Sequence, residues 1–448
     1  MIKRKINRYL EEYYTSTTKA LLITGARQTG KTYSIRQFGK SHFESMVEIN
    51  FIEMSDAVPV IATAKNSHDL LLRISSLTAQ PLIKGKTLIF FDEVQECPEI
   101  VTAIKFLVDE GNYRYIMSGS LLGVELKDLR SEPVGYMDVK EMFPLDMEEF
   151  FTAVGVSQMV MDELRDVWKN KRPVDEFVHA KLMELFRLYL IVGGMPAAVQ
   201  KYLDTNNLQE VLAEQQAILR LYKRDIAKYD KKNKLYIEEI FDLIPSELNA
   251  KNKRFILKNL NENAKFSHFE NSFIWLKEAG VALPVYNVEE PAIPLKLSRS
   301  RSLFKLFQND VGLLASQYAD GIQLRLLTDA KSINYGSIYE NAIAQELHAH
   351  GFDLYYFNSK KQGELDFVIE KSGAVLPIEV KSGKDYHRHN ALSNVMSNPT
   401  YQIPEAIVFS NENSHQTNKV TYLPIYMAMF IKKQMSVDIT YKVDLSGL

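Results

Sequence analysis

Cysteine is almost absent from this 448-residue chain, with Cys97 standing alone. A disulfide framework within the chain and a cysteine-rich zinc site are both excluded, and a single thiol fits a reducing compartment. Net charge is nearly absent as well. The 54 Lys and Arg against 56 Asp and Glu leave a formal charge of −2. No global basic field draws the chain to nucleic acid, so any such binding must use local patches. Long hydrophobic runs are missing too. The most apolar late stretch, YLPIYMAMFI, falls far short of a membrane span. The N-terminal MIKRKINRYLEEYY is basic but has no apolar core of the kind a secretory signal needs. These absences lead us to expect a cytoplasmic protein with no membrane segment. Length suggests about three domains. The 46% hydrophobic and 25% charged residues are ordinary for a globular chain.

What is present begins with KALLITG, 19–25, a buried-strand pattern running into GARQTGKT. This octet, Gly25, Ala26, Arg27, Gln28, Thr29, Gly30, Lys31 and Thr32, fits GxxxxGK[ST] and precedes a helical pattern. Glycines let backbone N–H groups approach phosphate oxygens, the lysine reaches the β- and γ-phosphates, and the threonine ligates Mg²⁺. A second apolar run, TLIFF, ends in Asp92-Glu93. Asp92 suits a Mg²⁺ ligand and Glu93 a general base that polarises the attacking water. A third strand, YRYIMSGS, brings Ser118 to the same strand end as a candidate γ-phosphate sensor.

Further on, LDFVIE and VLPIEVK have strand composition and flank a Lys371-Ser372-Gly373 turn. A hairpin centred there sets Asp366 opposite Glu379. Like charges so placed are destabilising, so a positive group should sit between them. Lys381 shares the strand face of Glu379. Upstream, GSIYENAIAQELHAHG is an amphipathic helix pattern carrying Glu340, which also lies three residues after Ser337, the spacing of a capping box.

The GARQ-type P-loop, the DEVQ strand end, SGS and FPLDMEEF together resemble a prokaryotic family of AAA-type P-loop ATPases. Asp366, Glu379 and Lys381, with Glu340 as the helix acid, resemble the D…ExK signature of the restriction-endonuclease-like fold. The resemblance runs from Arg4 to about Ser410. It implies ATP and Mg²⁺ at the P-loop. At the second site it implies a metal held by Asp366, Glu379 and Glu340, Mg²⁺ or Mn²⁺, with Lys381 steadying the attacking water. Many relatives carry a Gly-Arg pair after SGS. Here Gly135 has no arginine beside it, so no arginine finger is assigned; Arg130, Arg220 and Arg224 are the candidates.

The expected fold class is α/β. Its parts are a P-loop ATPase core with a parallel sheet (1–150), a helical lid (151–235) broken at VGGMP, a winged helix (236–315) and a C-terminal restriction-endonuclease-like α/β domain (316–448). In the winged helix, IPSEL starts a turn, NKRFILKNL and SHFENSFIWLKEAG are helices, and VALPVYNV and PAIPLKL form the wing. The expected function is an ATPase whose nucleotide state controls a metal-dependent nuclease-like domain acting on DNA. The alternative is a nucleotide-dependent regulatory or assembly switch with a non-cleaving nuclease-like domain. Partners then extend to a homo-oligomer or another protein.

Overall fold

The computed structural model describes residues 2–120, 135–229, 234–250, 252–260, 266–318, 321–328, 336–433 and 440–443. Two compact units emerge, and neither is one continuous stretch. The first comprises Met1–Gln158, Arg187–Pro284 and Leu306–Ala330; the second comprises Met159–Phe186, Val285–Lys305 and Lys331–Leu448.

The first unit is built on five strands: β1 (Ala20–Thr24), β2 (Ser45–Asn50), β3 (Thr87–Asp92), β4 (Arg114–Ser118) and β5 (Met137–Glu141). They lie in the order β2-β3-β4-β1-β5, and every pairing is parallel. β3 is buried along its whole length, which is why TLIFFD reads as an unbroken apolar run instead of an alternating one. Apolar clusters fill both faces. Ile49, Phe91 and Ile104 belong to one, and Leu21, Ile35 and Phe90 to the other.

FPLDMEEF becomes the helix Met147–Ala153, opened by a reciprocal capping box between Asp146 and Glu149. VGGMP is a true break, falling between the helices Glu176–Val192 and Pro196–Thr205. Gly193 has a positive φ of 70°. A Cβ on Gly194 would overlap the Leu145 carbonyl oxygen.

The second sheet contains β6 (Ala282–Val288), β7 (Arg299–Gln308), β8 (Tyr355–Ser359), β9 (Gly363–Lys371), β10 (Ala374–Val380), β11 (Ala406–Ser410), β12 (His415–Thr417) and β13 (Val420–Pro424). Its order is β12-β13-β11-β10-β9-β8-β6-β7. The β9–β10 hairpin has the expected register. Ala374 pairs with Lys371 and Ile378 with Phe367, and the next step sets Glu379 against Asp366. The turn residues Ser372 and Gly373 both have positive φ, 50° and 76°, the twist that matches a two-residue hairpin.

Several expectations for 236–315 change. IPSEL does not start a helix; it closes the helix Lys234–Asn249, with Pro245 inside it. NKRFILKNL holds only the short 3-10 turn Leu257–Asn259. The helix Phe266–Glu278 forms as expected. The strand VALPVYNV is present as β6, but its residues Tyr286–Val288 pair in parallel with Tyr355–Phe357 of β8, so it is not half of a free wing. PAIPLKL is not a strand. Pro291 and Pro294 remove two ladder donors, and the regular strand starts only at Arg299.

Met159–Phe186, the first part of the expected lid, belongs to the second unit. There, Asn413 Oδ1 accepts from the Val174 amide at 2.9 Å, and His179 Nδ1 lies 2.9 Å from the Tyr426 hydroxyl. The rings of Phe186 and Tyr339 meet edge to face at 5.2 Å. Among the described residues, no helix is long and apolar enough to cross a membrane.

Candidate functional sites

The first site forms where β1, β3 and β4 end. β1 delivers GARQTGKT, and the helix Lys31–His42 starts directly after Gly30. Gly25 and Gly30 have φ of 125° and 92°. A Cβ on Gly25 would overlap the Met142 carbonyl oxygen, so this glycine is required by both conformation and space. Gln28 also has a positive φ, 66°. Thr29 is buried, and its hydroxyl donates to the Ala26 carbonyl at 3.0 Å. Lys31 Nζ donates to the Gly25 and Ala26 carbonyl oxygens, both at 2.8 Å. Burial lowers its pKa to about 8, against the pull of Glu93 and Asp92.

Asp92 collects three side-chain donors. Thr32 Oγ1 donates at 3.0 Å, Asn50 Nδ2 at 3.0 Å, and the Ser118 hydroxyl makes a third, short bond. Burial still holds its carboxyl above the usual range, although the Ser118 and Thr32 bonds oppose this. Thr32 and Asp92 are therefore already side by side, as ligands of one Mg²⁺ must be. Glu93 sits in the left-handed region at φ 57°. Its Oε2 accepts from Gln95 Nε2 at 2.6 Å, which fixes the direction of the carboxylate. Thus Ser118 touches the acid and not an open space, and Asn50 is a member that the sequence did not single out. Its only signal is its place at the end of β2, in register with Asp92.

Arg27 is committed elsewhere. Its Nη1 pairs with Asp225 at 2.6 Å, its Nε donates to Ser120 Oγ at 3.2 Å, and its carbonyl accepts from the Tyr222 hydroxyl at 3.2 Å. Tyr222 and Asp225 lie on the helix Leu208–Tyr229, so the P-loop is tied to that helix. Arg4, near the N-terminus, also braces it, donating to the Thr29 and Phe143 carbonyls at 2.9 and 2.7 Å and pairing with Glu149 at 3.1 Å. Of the finger candidates, Arg220 and Arg224 are exposed and Arg130 lies outside the described residues.

The second site lies within the second unit. Asp366 on β9 and Glu379 on β10 face each other, and Asp366 Oδ2 accepts from the Val380 amide at 2.8 Å. Lys381 Nζ lies 2.7 Å from Glu379 Oε2. Glu379 is only 2% exposed. Burial first, and then the neighbouring Asp366, hold its carboxyl well above the ordinary range, although Lys381 pulls the other way. Lys381 is held above its own usual value because Glu379 and Asp366 outweigh its burial. Glu340, on the helix Gly336–Ala349, is buried, and its charge acts on Lys381.

One residue here was missed by sequence reasoning. Lys305 on β7 is 0% exposed, and its Nζ lies 2.8 Å from Glu364 Oε1 and 3.7 Å from Glu340 Oε2. The only signal was a lysine inside the apolar run LFKLF. The donors at this site are carboxylate oxygens, a set that suits a hard divalent cation such as Mg²⁺ or Mn²⁺.

Comparison with known proteins divides the chain in three. Residues 17–151 match an AAA domain. Residues 183–324 and 335–427 match two domains of unknown function, DUF8612 and DUF4143. No curated protein matches the sequence. Among solved structures, the chain is similar to the Walker-type ATPase PABY2304 of Pyrococcus abyssi, at 14% identity and a TM-score of 0.42, covering 71% of this chain and 96% of that one. It is also similar to Cdc6p from Pyrobaculum aerophilum, at 12% identity and a TM-score of 0.24, covering 73% and 96%. The Aeropyrum pernix Orc1 protein, solved in complex with DNA, is similar at 11% identity and a TM-score of 0.28, covering 74% and 93%. With the P-loop, the paired Thr32 and Asp92 and the parallel sheet in place, the match over residues 17–151 identifies an AAA-type ATPase domain in this chain.

Proposed function

We propose that this protein binds and hydrolyses ATP at the first site, and that its nucleotide state controls a metal-dependent nuclease-like site acting on DNA. Gly25 to Thr32 would cradle the phosphates, with Lys31 on the β- and γ-phosphates. Thr32 and Asp92 would hold Mg²⁺, and Glu93 would orient the attacking water. When bound, Mg²⁺ supplies charge neutralisation at the phosphates. Asn50 and Ser118 keep Asp92 aimed.

The observation that carries the nuclease-like reading is the facing pair Asp366 and Glu379 with Lys381 beside them. Two close carboxylates in a buried site are poorly placed to ionise together unless a cation joins them. Glu340, Asp366 and Glu379 would hold Mg²⁺ or Mn²⁺, which polarises a phosphoryl oxygen and activates water when bound. Lys381 would steady developing negative charge. The P-loop ties to Asp225 and Tyr222 suggest that nucleotide binding is felt along the helix Leu208–Tyr229.

The test is cleavage of plasmid and single-stranded DNA with Mg²⁺ or Mn²⁺, with and without ATP, beside Asp366→Ala and Lys31→Ala. Cleavage by the wild type that disappears in Asp366→Ala is expected, and the Lys31→Ala lane reads out control by ATP. Intact ATPase activity with no cleavage under any condition would replace this proposal by a nucleotide-dependent switch or assembly factor. Its nuclease-like unit would then only grip a partner.

A further inference from the structure

Lys305 has no part in the cleavage chemistry above, yet it is the most deeply buried cation of the second site. Its Nζ is enclosed by Glu364 at 2.8 Å, Glu340 at 3.7 Å and the ring of Tyr356, 5.0 Å from its centroid. Asp366 also acts on it. Moving an ammonium out of water costs several kcal/mol unless fixed negative charge offsets it. Here the offset comes from the same carboxylates that form the proposed cation site.

The charges around it can be followed among the described residues. Glu340, Glu364, Asp366 and Glu379 carry four negative charges when ionised, and Lys305 and Lys381 carry two positive ones. The remainder, −2, is neutralised by one divalent cation. A second would leave a buried site with an equal excess of positive charge. Lys305 stands on the side of Glu340 and Glu364, whereas Lys381 stands by Glu379. This leaves the Asp366 and Glu379 pair as the main ligands of the ion, with Glu340 between it and Lys305.

We propose that Lys305 is a built-in counter-ion that limits this acid cluster to a single divalent cation, held by Asp366 and Glu379 with Glu340 shared between the ion and Lys305. The proposal rests on the nuclease-like reading of the cluster. Lys305 is in this sense a positioning residue: it occupies the place a second ion would need.

Mn²⁺ binding to the full-length, nucleotide-free protein tests it, with titration calorimetry and the paramagnetic signal of free Mn²⁺ as readouts. The wild type should bind one Mn²⁺ that Asp366→Asn loses. Lys305→Met, similar in length but uncharged, should bind two. A folded Lys305→Met that still binds one ion with unchanged affinity would overturn the proposal, because a purely structural lysine would alter the melting temperature alone.

If Lys305→Met does not fold, Glu364→Gln decides. Glu364 is partly exposed. Without its charge, Lys305 turns fully onto Glu340 and Asp366 and opposes the ion. Mn²⁺ binding should then weaken at least about ten-fold, at unchanged stoichiometry, as for loss of an outer-shell partner. Unchanged affinity in Glu364→Gln would overturn the proposal as well. A wild type whose Mn²⁺ binding is the same as that of Asp366→Asn would remove the nuclease-like reading itself.

Discussion

At the scale of single residues, the lysines of the two sites shift in opposite directions, Lys381 upward beside Glu379 and Asp366 and Lys31 downward. Lys31 is buried with its ammonium hydrogen-bonded to backbone carbonyls, and burial lowers its pKa from 10.5 to about 8. Between those two values the unfolded chain holds a proton that the folded chain has released. The stability of the nucleotide-free protein should therefore rise with pH across that window and be lowered by a constant amount below it. Phosphate oxygens would restore the ammonium, so ATP binding at pH 8.5 should take up protons. Calorimetry in buffers of different ionisation enthalpy measures this directly. Uptake should vanish in Lys31→Arg, whose guanidinium stays charged throughout. Wild type with no proton uptake would show that Lys31 is not held neutral. Glu93 differs, since its role lies in the reaction and not in binding. Glu93→Gln keeps the shape and the contact to Gln95 while losing the base. It should bind ATP normally and hydrolyse it about 10²- to 10⁴-fold more slowly, the range of general-base catalysis. Unchanged turnover would take the role of base away from Glu93.

At the scale of elements, three sequence stretches outside the P-loop meet at one joint in the first unit. Gly194, from VGGMP, accepts from the Leu145 amide of FPLDMEEF at 2.6 Å. Its own amide donates to Asp310 Oδ2 at 2.5 Å, and Asp310 Oδ1 caps the helix Val311–Ala315 through the Leu313 amide at 2.9 Å. A side chain at 194 would press on backbone, which cannot swing away. Gly194→Ala should thus destabilise the first unit by roughly 3 kcal/mol or more, as backbone overpacking in a core does. Thermal melts check it, and a melting temperature within a degree of wild type would show that the joint yields. Elements of this kind also mark how far the sequence could be read. The P-loop, the DE strand end and the β9–β10 register were legible because each is written in neighbouring residues: glycine spacing, an apolar run with an acidic end, a Ser-Gly turn. VGGMP was legible as a break but not as a joint, because its partners at 145 and 310 are distant in the chain. The same distance hid the parallel pairing of β6 with β8, and hid Lys305, whose partners come from 340 and 364. PAIPLKL was misread because its apolar residues outweighed two prolines that a ladder cannot use.

At the scale of the whole molecule, the chain passes between its two units five times. A linear division into successive domains therefore does not describe how it folds. The segment 316–448 contains Glu340, Asp366, Glu379 and Lys381, and on sequence grounds it reads as a self-contained domain. It lacks β6 and β7, the two strands that complete the sheet beyond β8, and with them Lys305. It also lacks Met159–Phe186, whose His179, Val174 and Phe186 meet Tyr426, Asn413 and Tyr339. Cut at 316, β8 becomes an exposed edge with unpaired backbone groups, a template for aggregation. Glu340 and Glu364 lose the cation that faces them, and removing one partner of a buried pair costs about 3–5 kcal/mol. That is a large share of the 5–15 kcal/mol, roughly, by which a domain is stable at all. The isolated segment 316–448 is therefore expected to be insoluble, or soluble without a cooperative melt by circular dichroism, whereas the full chain melts cooperatively. A fragment that folds and binds Mn²⁺ with the affinity of the full chain would show that the earlier segments only decorate the second unit. Failure of the fragment would mean that the proposed nuclease-like site depends on three separated parts of the sequence, so it can mature only after Arg187–Pro284 and Leu306–Ala330 of the first unit, which lie between them, have been made.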